Sequence, residues 1–527
     1  MTTATFHSLD WVVLGGYFAL LLGTGIYFSR KERQKTSLDY FLAGHKMPVW
    51  AVTFSILATT QSAATFIGVP AASYRGSLTY LSISVGPIIA ACIVAWIFVP
   101  AYFRAGVVTP YELLERRFGP ASRKATSLAF LVGRVMASGA RTYIGALPVS
   151  LAVFGDTTVP HLVTSVCVVM LVGTLYTLWG GVGSVIWTDV IQVTVYVGAG
   201  VAALLVLLHR IPLSLGEIFD LLRHTPIDAT AGLASGSKLR VLDVGVPFDP
   251  AASQTLWTAL TGFMLLNLAV YATDQDIVQK CLTCKSSRQG ALSALTGTLV
   301  GIPVVVLFLL VGSLLYVYYQ CPGVMGAGAA TPPADAKDVF QTFILTGMPP
   351  GLSGLMIAGV LAIGPAGINA TLNGMASTLI NDLYRPMLPG RSERHYLGAG
   401  RLGVLFCGVL LTVFAVACVY WKHARPDQPL IDFALNVMSY AYAGLLGVFL
   451  TALLSRRGTS ASVIAGLAAG FLTVIACTPE VMVHWLPAAG STIDHPIARV
   501  TLAYPWQLVI GTLVATLVCA APRGERT

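Results

Sequence analysis

The sequence predicts an all-α polytopic membrane protein of about thirteen transmembrane helices, with its N-terminus outside and its C-terminus inside. Three observations predict it. Of the 527 residues, 55% are hydrophobic and only 10% are charged, whereas a soluble chain carries roughly a quarter of its residues charged. The apolar residues come in long blocks rather than amphipathic stripes, and about twenty of them suffice to cross a bilayer as a helix. Lys and Arg gather on alternate connections.

The blocks place spans at 10–29, 47–72, 78–103, 125–153, 161–179, 183–208, 255–279, 290–318, 353–380, 397–420, 430–455, 458–477 and 503–521. The first is no cleavable signal peptide. No basic region precedes Trp11, and the cluster Arg30, Lys31, Arg33 and Lys35 follows it. With that cluster cytoplasmic and the connections alternating, the inside holds about 21 Lys and Arg, including Arg116, Arg117, Arg123, Lys124, Arg391, Arg394, Arg456 and Arg457, against about nine outside. This bias selects an odd number of spans. The net charge of +9 therefore reports topology rather than nucleic-acid binding. The longest external segments, 209–254 and about 319–340, are too short to be separate domains.

An enzyme reading has little to stand on, with no Gly-rich phosphate loop, nucleophile elbow or HExxH. Cys281 and Cys284 form a CxxC, but zinc would need a second such pair or two histidines beside it, so the spacing is read as chance.

Polar residues inside spans carry the functional signal, because they are costly there and usually line a pathway. In the second span Thr59, Thr60, Gln61, Ser62 and Thr65 cluster at the centre. Single hydroxyls bond back to their own helix, but five polar residues in seven positions fit a broken helix lining a cavity better. In the fourth span Arg134 and Arg141 lie seven residues apart on one helical face. Arg141 is expected near the outer interface, snorkelling. Arg134 sits deeper and wants a carboxylate, from a ligand or from a structural ion pair. Gly180 and Gly181 turn the chain tightly before Asp189, just inside the next span. Asp274 and Asp276 interrupt the run that leads to Lys280.

At these residues the chain resembles the sodium/solute symporter family. Asp39-Tyr40-Phe41-Leu42-Ala43-Gly44 is similar to its signature before the first core helix, and Pro110-Tyr111-Glu112-Leu113-Leu114-Glu115-Arg116-Arg117-Phe118 to the stretch before the third. The run Trp187-Thr188-Asp189-Val190-Ile191-Gln192, the run from Thr273 to Lys280, and Leu372-Asn373 followed by Asn381-Asp382-Leu383-Tyr384 also match. The matches span about residues 10 to 460.

The resemblance implies a fold of two inverted five-helix repeats like that of the bacterial leucine transporter, at 47–208 and 255–455, separated by the external loop 209–254. Helix 10–29 leads, and two helices within 458–521 follow. A polar break in the first helix of each half, at Thr59–Thr65 and Thr273–Asp276, echoes that plan and points to a midplane site. The implied activity is cation-coupled secondary transport of a small solute by alternating access, in a bacterial inner membrane. A sensor or receptor on the same core is the other class considered. The chain ends at Thr527, soon after the last span, and the expectation is that no output domain follows. A channel is a third, though no repeated pore loop or charged ring is evident.

The resemblance also assigns residues. The sodium/galactose branch carries acidic and amide groups where this chain has Ala64 and Thr65, which disfavours a hexose. The sialic acid branch uses hydroxyls that fall on Thr60, Ser62 and Thr65 and an arginine that falls on Arg134. These suit a hydroxylated carboxylate such as sialate, and monocarboxylate carriers of the family are similar in pattern. The family's sodium site implies carbonyls at Ala58, Gln61 and Ile363, while its two hydroxyl ligands fall on Ala366 and Gly367, which have none. Two lost oxygens cost roughly 2–5 kcal/mol. A second sodium site implies Asp189, with serine positions falling on Asn369 and Ala370. The expected coupling ion is thus Na+ on a degraded site, with H+ on Asp189, a sodium-independent uniporter, or a rearranged sodium site at Asp189 and Asn369 as alternatives.

Overall fold

The computed structural model describes residues 7–31, 36–179, 181–227, 236–245, 248–333, 335–424, 430–478, 481–482 and 502–522. Among the described residues the fold is helical throughout, with one isolated bridge between Pro226 and Ser237. Seven helices are long and apolar enough to cross a membrane, for example Val182–Arg210 and Ser287–Gln320, and a bent pair makes an eighth. Four shorter apolar helices accompany them, as does the 35-residue helix Pro120–Phe154, which carries Arg123, Lys124, Arg134 and Arg141. The thirteen expected spans need all of these.

The bent pair is the polar span singled out from sequence. Val49–Thr60 stops at Gln61, whose ψ of 157° is extended, and Ala63–Arg75 restarts after Ser62, at an angle of 60° between the halves. Ser62 is the cap: its hydroxyl accepts the Thr65 amide at 3.4 Å. Thr59 and Thr60 bond back to Ser55 and Leu57 carbonyls at 3.0 Å, the local behaviour of hydroxyls in apolar helices. The second break lies at Asp274, extended with ψ 123°, between Met264–Thr273 and Gln275–Leu282.

Small residues let neighbours close on these breaks. A Cβ on Gly374 would stand 2.9 Å from the Asp276 amide nitrogen, and one on Gly312 would stand 2.1 Å from the Pro70 carbonyl oxygen. Ser287–Gln320 therefore packs directly on the first broken helix, and Leu352–Thr378 on the second. The leading helix is tied in through Asp10, whose Oδ1 accepts the Gly351 and Gly354 amides at 2.7 Å each, capping Leu352–Thr378.

One end of the bundle is closed by charge. Arg123 donates to Asp382 at 2.7 Å, Glu115 at 2.6 Å and Glu112 at 3.1 Å, and to the Asn381 carbonyl at 3.0 Å. Thr109 and Ser127 hydroxyls complete the Asp382 carboxylate.

Cys281 and Cys284 are buried, so their silence toward a thiol reagent would say nothing about sidedness. Lys285, beside them, is exposed. For the predicted orientation, an impermeant maleimide added to intact cells should label native Cys321 and spare a Lys285→Cys variant that also carries Cys321→Ser until the cells are permeabilised. Labelling of that double variant in intact cells beyond the level of Cys321→Ser alone would reverse the orientation.

Candidate solute site

The first break opens onto a cavity of about 180 Å³. Thr59, Thr60, Gln61, Ser62 and Thr65 form its polar floor, with Asn267 and Thr298 beside them. Leu266, Val270, Ile302 and Val305 supply an apolar wall. Tyr80, Ile83, Phe263 and Leu435 line it too, and belong to a small hydrophobic cluster with Tyr504. Arg134 and Arg141 both reach the cavity from the Pro120–Phe154 helix. A smaller lobe, also touching Thr59, Gln61, Ser62 and both arginines, runs on to Ser138, Gly367, Ile368 and Thr371.

Thus Thr60, Ser62, Thr65 and Arg134 share one cavity. Arg134 is held by protein carboxylates. Its terminal nitrogens donate to Asp274 at 2.9 Å and to Asp276, one also to the Tyr442 hydroxyl at 3.0 Å, and its Nε donates to Thr371 at 3.2 Å. Tyr442 in turn donates to Asp274 at 2.7 Å. All of these groups are buried. Arg141 departs from expectation: it turns into the cavity, half-buried, with its guanidinium 3.2 Å from the Met438 sulfur. A cavity that dips into the bundle gives a long side chain a polar destination other than the membrane surface.

The residues expected around the coupling ion are dispersed over three elements. Ala58 is buried in the first broken helix, Gln61 lines both lobes, and Gly367 lines the smaller one. Ile363 and Ala366 lie on the backbone of Leu352–Thr378. Asn369 Oδ1 accepts from Thr177 at 2.9 Å. Asp189 Oδ2 accepts from Ser55 at 2.5 Å and from the Lys280 ammonium at 2.7 Å, while Oδ1 has no partner among the described residues. Lys280 also donates to the Ser55 carbonyl at 3.0 Å and to Thr59. Sequence reasoning left Lys280 at the edge of a basic loop, yet it is buried with an oxygen set that a cation would use. The Asp189 carboxylate, already singled out, was the signal that a buried cation had to lie nearby.

Removing one partner from a buried ion pair costs about 3–5 kcal/mol. Arg134→Ala should therefore lower the melting temperature in detergent markedly and reduce folded yield, and Asp274→Asn should do so less, since Asp276 stays. Thermal unfolding of the purified variants checks this.

A profile of the sodium:solute symporter family matches residues 40–470. The chain is 28% identical over 493 residues to a sodium/sialic acid symporter of Proteus mirabilis, covering 89% of this chain and 90% of the relative. It is 26% identical over 483 residues to sodium-coupled monocarboxylate transporter 2 of Mus musculus, covering 90% and 73%. A solved structure of a sodium-coupled sialic acid symporter in a substrate-bound outward-open state superposes with a TM-score of 0.77 at 25% identity, covering 99% of this chain and 100% of that one.

Proposed function

Because the chain belongs to the sodium:solute symporter family and is a multi-pass cell-membrane protein, we propose that it is a secondary active transporter of a small carboxylate, working by alternating access. One observation carries this reading: hydroxyls of Thr60, Ser62 and Thr65 and two guanidiniums, Arg134 and Arg141, border a single cavity at a broken helix. A hydroxylated carboxylate needs that pairing of cation and hydrogen-bond partners. Relatives named for sialic acid and for monocarboxylates support the solute class.

In this proposal all thirteen helices cross the membrane. Residues 47–208 and 255–455 form the inverted repeats, flanked by 10–29 and 458–521, with 209–254 outside. The end closed by Arg123 faces the cytoplasm and the cavity faces out, in keeping with the positive-inside bias.

Sodium coupling is proposed to be weak or lost. Ala366 and Gly367 offer no hydroxyls, and the Lys280 ammonium already engages Asp189, Ser55 and Thr59. The remaining oxygens, at Ala58, Gln61, Ile363 and Asn369, are too few for tight binding of a hard cation. Coupling to protons, or uniport, then takes its place.

Uptake of labelled N-acetylneuraminate and L-lactate into proteoliposomes tests this at fixed membrane potential, with a sodium gradient, a proton gradient or neither. The expected outcome is uptake of a carboxylate with little activation by sodium. Steep, saturable activation at low millimolar sodium would refute weak coupling. Ala366→Ser combined with Gly367→Ser should raise sodium dependence.

A further inference from the structure

Resting on the reading of the cavity as a carboxylate site, we propose that Arg141 anchors the carboxylate and that Arg134 is a positioning residue holding the second broken helix in place. The argument is one of charge and free valence. Two aspartates share the Arg134 guanidinium, and each nitrogen of that guanidinium already has an oxygen partner. The cluster of Arg134, Asp274 and Asp276 carries excess negative charge, which repels an arriving anion at short range.

Arg141 stands two turns further along the same helix face. It lines both lobes of the cavity. Among the described residues no carboxylate lies within ion-pair distance of it, and its hydrogen-bond partner is the Met438 thioether. A thioether is a weak acceptor, readily displaced by a carboxylate. The guanidinium presents a planar fork matched to two carboxylate oxygens. Its half-burial limits competition from water, so the bond is stronger than at an open surface. Ser62, Thr65 and Asn267 border the same space and are placed for the solute's hydroxyl or carbonyl groups.

The test uses the whole protein in proteoliposomes, with N-acetylneuraminate and L-lactate as probes and their methyl esters as uncharged competitors. Arg141→Gln should weaken half-saturation for the transported carboxylate by about 10- to 100-fold and leave competition by the ester unchanged. Arg141→Lys should recover part of the affinity, keeping charge without the fork. Wild-type carboxylate affinity in folded Arg141→Gln overturns the assignment. Should that variant fail to fold, Arg141→Lys decides: several-fold weaker binding supports the fork, and unchanged binding overturns it. Affinity lost in Arg134→Lys and kept in Arg141→Gln returns the anchor to Arg134 and leaves the carboxylate reading intact. Wild-type protein that transports neither probe overturns the carboxylate reading itself, and the anchor with it.

Discussion

A helix that breaks inside a membrane frees carbonyls and amides that lipid cannot satisfy. The second break of this protein shows how the surrounding structure answers that constraint. The Ala272 carbonyl takes the Tyr102 hydroxyl at 2.6 Å, and the Thr273 carbonyl takes the Tyr111 hydroxyl at 2.7 Å. Gln275 reaches the Val108 carbonyl at 3.0 Å. The two aspartates that flank Gln275 bind Arg134. The segments carrying Tyr102, Val108, Tyr111 and Arg134 are thus pinned to residues 272–276 around the break, and this helps hold Arg134 at the cavity wall.

Charge is balanced with the same economy. Asp189 and Lys280 neutralise each other across the first broken helix. Around the cavity Arg134, Arg141, Asp274 and Asp276 also sum to zero, but unevenly, with both aspartates on Arg134 and none on Arg141. That asymmetry makes a positive face without a net charge. A bound carboxylate tips the sum to minus one in a low-dielectric setting, so a cation moving with it lowers the cost of the occupied state. For the proposed carboxylate, this electrostatic term favours a co-transported cation, a proton included, over uniport.

Both breaks were legible in sequence because a cluster of polar residues within an apolar run is too costly in lipid unless it lines a cavity. Ser62 at the restart even announces its capping role. The partners of Arg134 were not legible as such. Asp274 and Asp276 lie 140 and 142 residues away, and long-range packing, Gly374 against the second break included, brings that segment to the arginine. Arg141 was expected to snorkel toward the outer interface, and it lines the cavity, a polar destination that the sequence alone does not show. Lys280 looked like the start of a basic loop because Lys285 and Arg288 follow it, and hydropathy cannot separate a buried cation from its exposed neighbours.

Under the proposed alternating access, the charged cluster at one end of the bundle and the apolar side chains of the cavity part and close in turn. At one end Arg123 joins the Pro120–Phe154 helix to Asp382, Glu112 and Glu115. Asp382 is fully buried and Arg123 nearly so, so parting them leaves desolvated charge, at a cost of about 3–5 kcal/mol unless water follows. Ile83, Phe263, Leu435 and Tyr80, by contrast, line the cavity with apolar surface. Bringing those side chains together removes apolar area from water, worth roughly 25 cal/mol per Å². In that proposed cycle, apolar contact formed among the cavity side chains offsets part of the cost of parting the charges.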